Sequence, residues 1–379
     1  MSAPDGPILP HVADLFSADF FREQCFALWH AHLQWLQAEG FERALQDDSH
    51  PAALDRPSGH EMVDLLDSFI GGTGFVNAHL GLTSSDICDN VRLIQVQRAC
   101  HWLALGATQL CLNLPELVMA GLPDDGESRT VGFTHWRPAA PITWYSRVHA
   151  WLAPLEVSVH RPPIIHAKQF GGPVGDGASL KLVLKVDRLQ PALDRFHWEP
   201  FGLAQPQNRL PIQSSDHVDE LLAVQWAVRL AAQLHKIAQD WRVLAGFGVL
   251  RPPAVPAGSS SMPHKLNPFK WEKVCGLCRS AATTQAEMWD VAAHNSLERT
   301  LDTSWQLKHL LERCFTTLAE AVDLLAAHPP RIDRAADLAL LRVHEDDLAS
   351  DRDLTRRVLA GEARWPAYLQ SIDVTINRS

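Results

Sequence analysis

The chain of 379 residues is 46% hydrophobic and 21% charged, the balance of a globular protein with length for a large core and one to three domains. Its 34 Lys and Arg stand against 44 Asp and Glu, a net charge of -10, which argues against a nucleic-acid backbone as partner. No apolar run reaches the roughly 18 residues of a membrane span, and "MSAPDGPILPHVADLF" has neither the basic nor the apolar region of a secretory signal, so a cytoplasmic protein with no membrane partner is expected.

Helical spacing dominates the predicted elements. An N-terminal helical segment comes first and is punctuated by "GGTGF" near Gly71. A long helix is predicted from Asp86 to Val118, before "GLPDDGES", and another from Pro141 to about Leu155, before "FGGPVGDGAS". From Asp216 to Ala245, apolar residues fall at Val218, Leu221, Leu222, Leu230, Leu234, Ile237, Ala238, Trp241 and Leu244. That is three-four spacing over about eight turns. After "RPPAVPAGSSSMP" two more helices are predicted, over 268–293 and 304–327, and a charged helical tail follows from about Pro329. Strand signals are scarce: there are two tyrosines and no spaced series of alternating Val, Ile and Thr runs. The expected fold is all-α, an elongated bundle of long helices. Its expected parts are an N-terminal helical domain over 1–80, a central bundle with the active-site loops over 81–328, and a short tail over 329–379. Of seven cysteines, Cys275 and Cys278 form the one CxxC pair, in a stretch of helical spacing with no second pair, so buried free thiols are expected and no metal site.

Polar loops fall where the long helices start or stop, and helix ends in a bundle can meet to build a pocket. "HLGLTSSDICDN" runs from His79 to Asn90, "VGFTHWRPAAPITW" from Val131 to Trp144, and "AGSSSMPHKLNPFKWEKV" from Ala257 to Val274. Taken singly, each has a structural reading: a Ser or Thr helix cap, a packed histidine, a solvated linker.

Together they resemble the fumarase/aspartase superfamily. The loop from Gly258 to Pro268 is similar to its G-S-S-x-M-P-x-K-x-N-P signature, the His79 loop to H-x-G-x-T-S-x-D, and "FTHWRP" to T-H-x-Q-P. The resemblance covers roughly residues 10 to 325 and keeps the family's motif order. It implies a fumarase/aspartase-type fold, a homotetramer, and active sites that draw the three loops from three subunits. No cofactor is expected.

The family reaction eliminates fumarate from a succinyl group. Removing a proton next to a carboxylate requires a base, donors for a nearly dianionic carboxylate, and an acid for the leaving nitrogen. By resemblance Ser259 is the base and Lys265 and Asn267 hold the carboxylate, on a loop that must close and exclude water. His135 matches the general acid and Glu272 the carboxylate that orients it. Thr83 and Ser84 match residues that bind the substrate carboxylates.

For the leaving group, "LERTLDTSWQLKHL" looks like the phosphate-binding segment of adenylosuccinate lyases, with Arg299 and Ser304 retained and Lys308 at the later basic position. "SGHEMVDLL" resembles that subfamily's R-H-D-V segment, which makes His60 and His79 candidate nucleotide or phosphate contacts. Gln213, in "PIQSSDHVDEL", loosely matches the substrate-binding Gln segment. Arg137 replaces the family Gln and adds a charge beside the substrate. "VADLFSADFFREQ" and "QFGGPVGDGASL" are more similar to carboxymuconate cycloisomerases. The expected function is therefore a fumarate-releasing carbon–nitrogen lyase acting on adenylosuccinate or a related N-succinyl compound. A cycloisomerase-like isomerase and a non-catalytic homologue are the alternatives.

Overall fold

A computed structural model describes residues 11–46, 59–120, 122, 128–207, 212–253 and 266–343. In chain order the elements are α1 (Val12–Leu15), α2 (Ala18–Ala38), α3 (Glu61–Thr73), α4 (Ser84–Met119), β1 (Arg129–Thr134), β2 (Arg137–Thr143), α5 (Trp144–Val159), α6 (Ala178–Leu184), α7 (Gln190–Leu193), a 3-10 turn (Glu199–Phe201), α8 (Val218–Gly246), β3 (Leu250–Arg251), α9 (Phe269–Ala293), α10 (Asp302–Ala327), β4 (Arg331–Ile332) and α11 (Arg334–Val343). The long helices α4, α8, α9 and α10 lie within a few residues of their predicted spans. The chain divides into two compact units.

The first unit comprises residues 1–112, 154–239 and 269–327. Its packing follows from period: α10 buries Leu307, Leu310, Leu311, Cys314, Phe315, Leu318, Val322 and Leu325 along one stripe. α9 lies against α10 and buries Trp271, Val274, Cys275, Cys278, Ala281, Met288 and Val291. Each large apolar side chain so covered contributes about 1.5–3 kcal/mol. Cys275 and Cys278 are thus buried free thiols in a helix. A second core is aromatic: Phe170 lies 5.1 Å from Trp198 and 4.8 Å from Phe196, ring centre to ring centre.

One predicted boundary moves. The helix of the N-terminal segment runs through Gly71 and Gly72 and stops at Gly74, where a φ of 76° suits glycine and the N–H bonds Ile70 O at 2.7 Å.

The second unit comprises residues 113–153, 240–268 and 328–379. It adds short strands to the all-α fold. The stretch expected to be a polar loop, Val131 to Trp144, lies mostly in an antiparallel hairpin, with Thr130 opposite Ile142 and Thr134 opposite Arg137. Pro138 and Pro141 hid it, because proline breaks a strand pattern. A two-stranded ribbon, in which both strands are edges, tolerates proline. The hairpin is tied to α11 by the buried Asp337, which accepts from Thr130 Oγ1 at 2.5 Å and Trp144 Nε1 at 2.9 Å. β3 and β4 form a second short ribbon, Leu250 opposite Ile332.

Candidate active site

The His79 loop leads into α4 through a turn organised by one carboxylate. Asp86 sits three residues after Thr83, and its Oδ2 accepts the Thr83 N–H at 2.9 Å, the backbone half of a capping box. The same carboxylate accepts from Lys168 Nζ at 2.6 Å and from the N–H groups of Gly171 and Gly172, each at 3.0 Å. Both side chains of the Asp86–Lys168 pair are buried, and Asn90 closes the set by bonding Lys168 at both its N–H and its carbonyl. Thr83 and Ser84 are left half-buried at the head of α4, on a turn that cannot shift without breaking four bonds.

Ser85, the next residue, is buried and accepts from Arg299 Nη1 at 3.0 Å. The same nitrogen donates to Gln213 Oε1 at 3.2 Å, while Gln213 Nε2 donates to Pro173 O at 2.6 Å. Thr83, Ser84, Gln213 and Arg299, matched separately from three parts of the sequence, therefore share one polar neighbourhood. Ser304 lies half-buried in the first turn of α10. Lys308, one turn on, is exposed and faces Glu61 Oε2 at 3.8 Å. Glu61 follows His60, which holds the cap position of α3 with no side-chain capping bond. An exposed pair of this kind is worth about 0–1 kcal/mol, so Lys308 is available to a stronger anion.

His79 is half-buried, and its Nδ1 accepts from Trp29 Nε1 at 3.1 Å. Burial lowers its proton affinity below the ordinary value, while the Asp86 carboxylate pulls the other way.

In the second unit, His135 and Trp136 form the two-residue turn of the hairpin, with φ of 48° and 63°. Two positive φ values in a two-residue loop are the pattern of a type I′ turn, which asks for Asn and Gly. Holding His and Trp there is strained, a feature that clusters at functional positions. His135 and Arg137 are both exposed. Ser259 and Lys265 lie outside the described residues. Asn267 is exposed just before α9, and Glu272 is exposed in its first turn.

Sequence reasoning missed most of the buried polar support. Asp89 accepts from Arg92 Nη1 at 3.0 Å and from the Ser215 N–H at 2.9 Å, and His217 Nδ1 lies 3.2 Å from Glu220 Oε1. Burial would raise the Asp89 carboxyl, but Arg92, Lys168, the Ser215 N–H and His217 outweigh it and hold the group below the usual range. Lys168 and Ser215 also line a groove of about 500 Å³ together with His166 and Asp219. His166 contacts Asp219 through its N–H at 3.1 Å and its Nδ1 at 3.3 Å. Only Asp86 carried a local signal, as the fourth residue of "TSSD".

The family model described as a lyase matches residues 76–282, more than half of the chain. The chain belongs to this lyase family, within the fumarase/aspartase superfamily. Similar family members include the adenylosuccinate lyase of Schizosaccharomyces pombe, 29% identical over 62% of this chain and 50% of the relative. That of Archaeoglobus fulgidus is 30% identical over 58% and 49%, and that of Caenorhabditis briggsae 31% over 64% and 51%. The chain spans about half the length of the curated relatives it matches. Among solved structures, 3-carboxy-cis,cis-muconate lactonizing enzyme from Pseudomonas putida superposes with a TM-score of 0.69 over 92% of this chain and 84% of that one, at 20% identity. That likeness is one of fold, and the fold is the long-helix architecture expected of the superfamily. No helix among the described residues is long and apolar enough to cross a membrane.

Proposed function

We propose that this lyase-family chain eliminates fumarate from an N-succinyl compound whose leaving group carries a phosphate, adenylosuccinate or a close relative. In that reading Ser259 removes the proton from the carbon next to the succinyl carboxylate, and Lys265 and Asn267 stabilise the resulting charge. The carbon–nitrogen bond then breaks, its electron pair leaves with nitrogen, and His135, oriented by Glu272, supplies the proton. Thr83 and Ser84 bind the carboxylates that become fumarate, and Arg137 adds a cation beside them. The chain would act as a homotetramer in the cytoplasm, with loops of three copies completing each site. Exposed apolar side chains on the long helices, among them Leu222, Trp289 and Trp305, favour such an assembly.

The observation that carries the reading is the placement of Arg299. Its Nη1 is anchored by Ser85 and Gln213 beside the Thr83 turn, a position suited to binding one end of a substrate whose other end lies on that turn. Lys308, with His60 and Ser304, would complete the phosphate contacts. The test is a substrate series. Arg299→Gln and Lys308→Ala should raise KM for a phosphate-bearing N-succinyl substrate at least tenfold and leave the corresponding nucleoside unchanged. Equal effects on both would remove the phosphate role.

A further inference from the structure

Two side chains of α2 reach the segment that leads into the His79 loop. His32 Nδ1 donates to the Ala78 carbonyl at 3.2 Å, and Trp29 Nε1 donates to His79 Nδ1 at 3.1 Å. Trp29 is fully buried, and its ring meets that of His79 edge-on, 6.1 Å between centres. Nothing in the sequence motifs pointed to either residue of α2.

The direction of the second bond is fixed by chemistry. An indole nitrogen only donates, so His79 Nδ1 must present its lone pair. In a neutral imidazole the proton then resides on Nε2. A second proton on the ring would set two N–H groups face to face and forfeit the bond. The surroundings favour the same form: burial disfavours the charged ring, and Asp86 is the carboxylate that opposes it. His32, the other titratable ring close by, is pushed down to about 3 by its own burial and stays neutral. Among the described residues no hydrogen-bond partner of His79 Nε2 is seen, and the residue is half-buried.

We infer that Trp29 is a positioning residue that locks His79 as the neutral Nε2–H tautomer, making it a permanent hydrogen-bond donor and excluding it from proton transfer. At the site it would hold an anionic oxygen of the ligand without changing charge across the neutral pH range. That use of the donor rests on the lyase reading, whereas the tautomer does not. The division of labour follows: proton delivery to the leaving nitrogen is left to His135, and His79 only binds.

The experiment is nitrogen NMR of the whole protein labelled with 15N-histidine, with the His79 signals identified by their loss in His79→Gln. At pH 7 the expected pattern is a protonated Nε2 and an unprotonated Nδ1, in a single tautomer that titrates below an ordinary histidine. Trp29→Phe should mix the two tautomers and move the titration up towards that of an ordinary histidine. Because the smaller ring also loosens packing, benzothienylalanine at position 29, which keeps the indole shape and lacks the N–H, should give the same mixing. An Nδ1–H ring or an imidazolium in the unmodified protein at pH 7 would overturn the inference. So would an unchanged pattern when the N–H is removed. Either result can be read even if no substrate is turned over.

Discussion

The carboxylate of Asp86 takes donors from Lys168 and from three backbone N–H groups, and so fixes the turn that carries Thr83 and Ser84. Asp86→Ala would leave the Lys168 ammonium buried and unpaired, at a cost of about 3–5 kcal/mol. Replacing Lys168 by Met as well should recover part of it, a coupling that urea unfolding of the two single variants and the double variant measures. His32 gives the pH dependence. Its folded value is about 3 against an ordinary 6.5, so the fold favours the neutral ring. The stability it contributes is complete above pH 6.5 and is lost as pH falls from there towards 3, by up to about 1.4 kcal/mol per pH unit. His32→Asn should be less stable at pH 7 yet decline less between pH 6.5 and 4.5. Motifs marked Thr83, His79 and Arg299, because loop signatures sit in consecutive residues. Lys168 and Ser215 gave no such sign, since each meets its partner across about 80 residues or more of chain.

At the scale of elements, the hairpin of β1 and β2 holds the opposition most open to test. Trp136 is 66% exposed, so its left-handed backbone is not compensated by burial. Trp136→Gly should raise Tm, with about 1–2 kcal/mol of strain relieved. His135→Asn should be at least as stable as the unmodified chain while turnover falls by about 100-fold or more, the loss expected for a general acid. α9 supplies a chemical check. Cys278 is pushed up to about 12 by burial, as is Cys88, so neither offers thiolate at neutral pH. Ellman's reagent should react slowly with the native protein and reach all seven thiols once it is unfolded. The long helices were legible because a stripe such as that of α10 repeats over many turns. The hairpin was not, because its strands are short, carry prolines, and turn on His-Trp where Asn-Gly would have announced it.

For the whole molecule, superfamily and fold were readable from three loops in order, because the residues of each loop signature sit in consecutive positions. Leaving group and assembly were not readable, since both depend on surfaces built from separate segments. If each site is completed by loops of different copies, mixing Ser259→Ala with His135→Asn should restore part of the activity that neither has alone. Subunit exchange followed by a fumarate assay measures this. The elimination itself is tested by release of fumarate from adenylosuccinate by the purified protein, alongside Ser259→Ala. Release should depend on Ser259, with the variant folded and assembled as before. Equal release by the variant would contradict Ser259 as the base. No release from adenylosuccinate or from any phosphate-bearing N-succinyl compound would contradict the elimination.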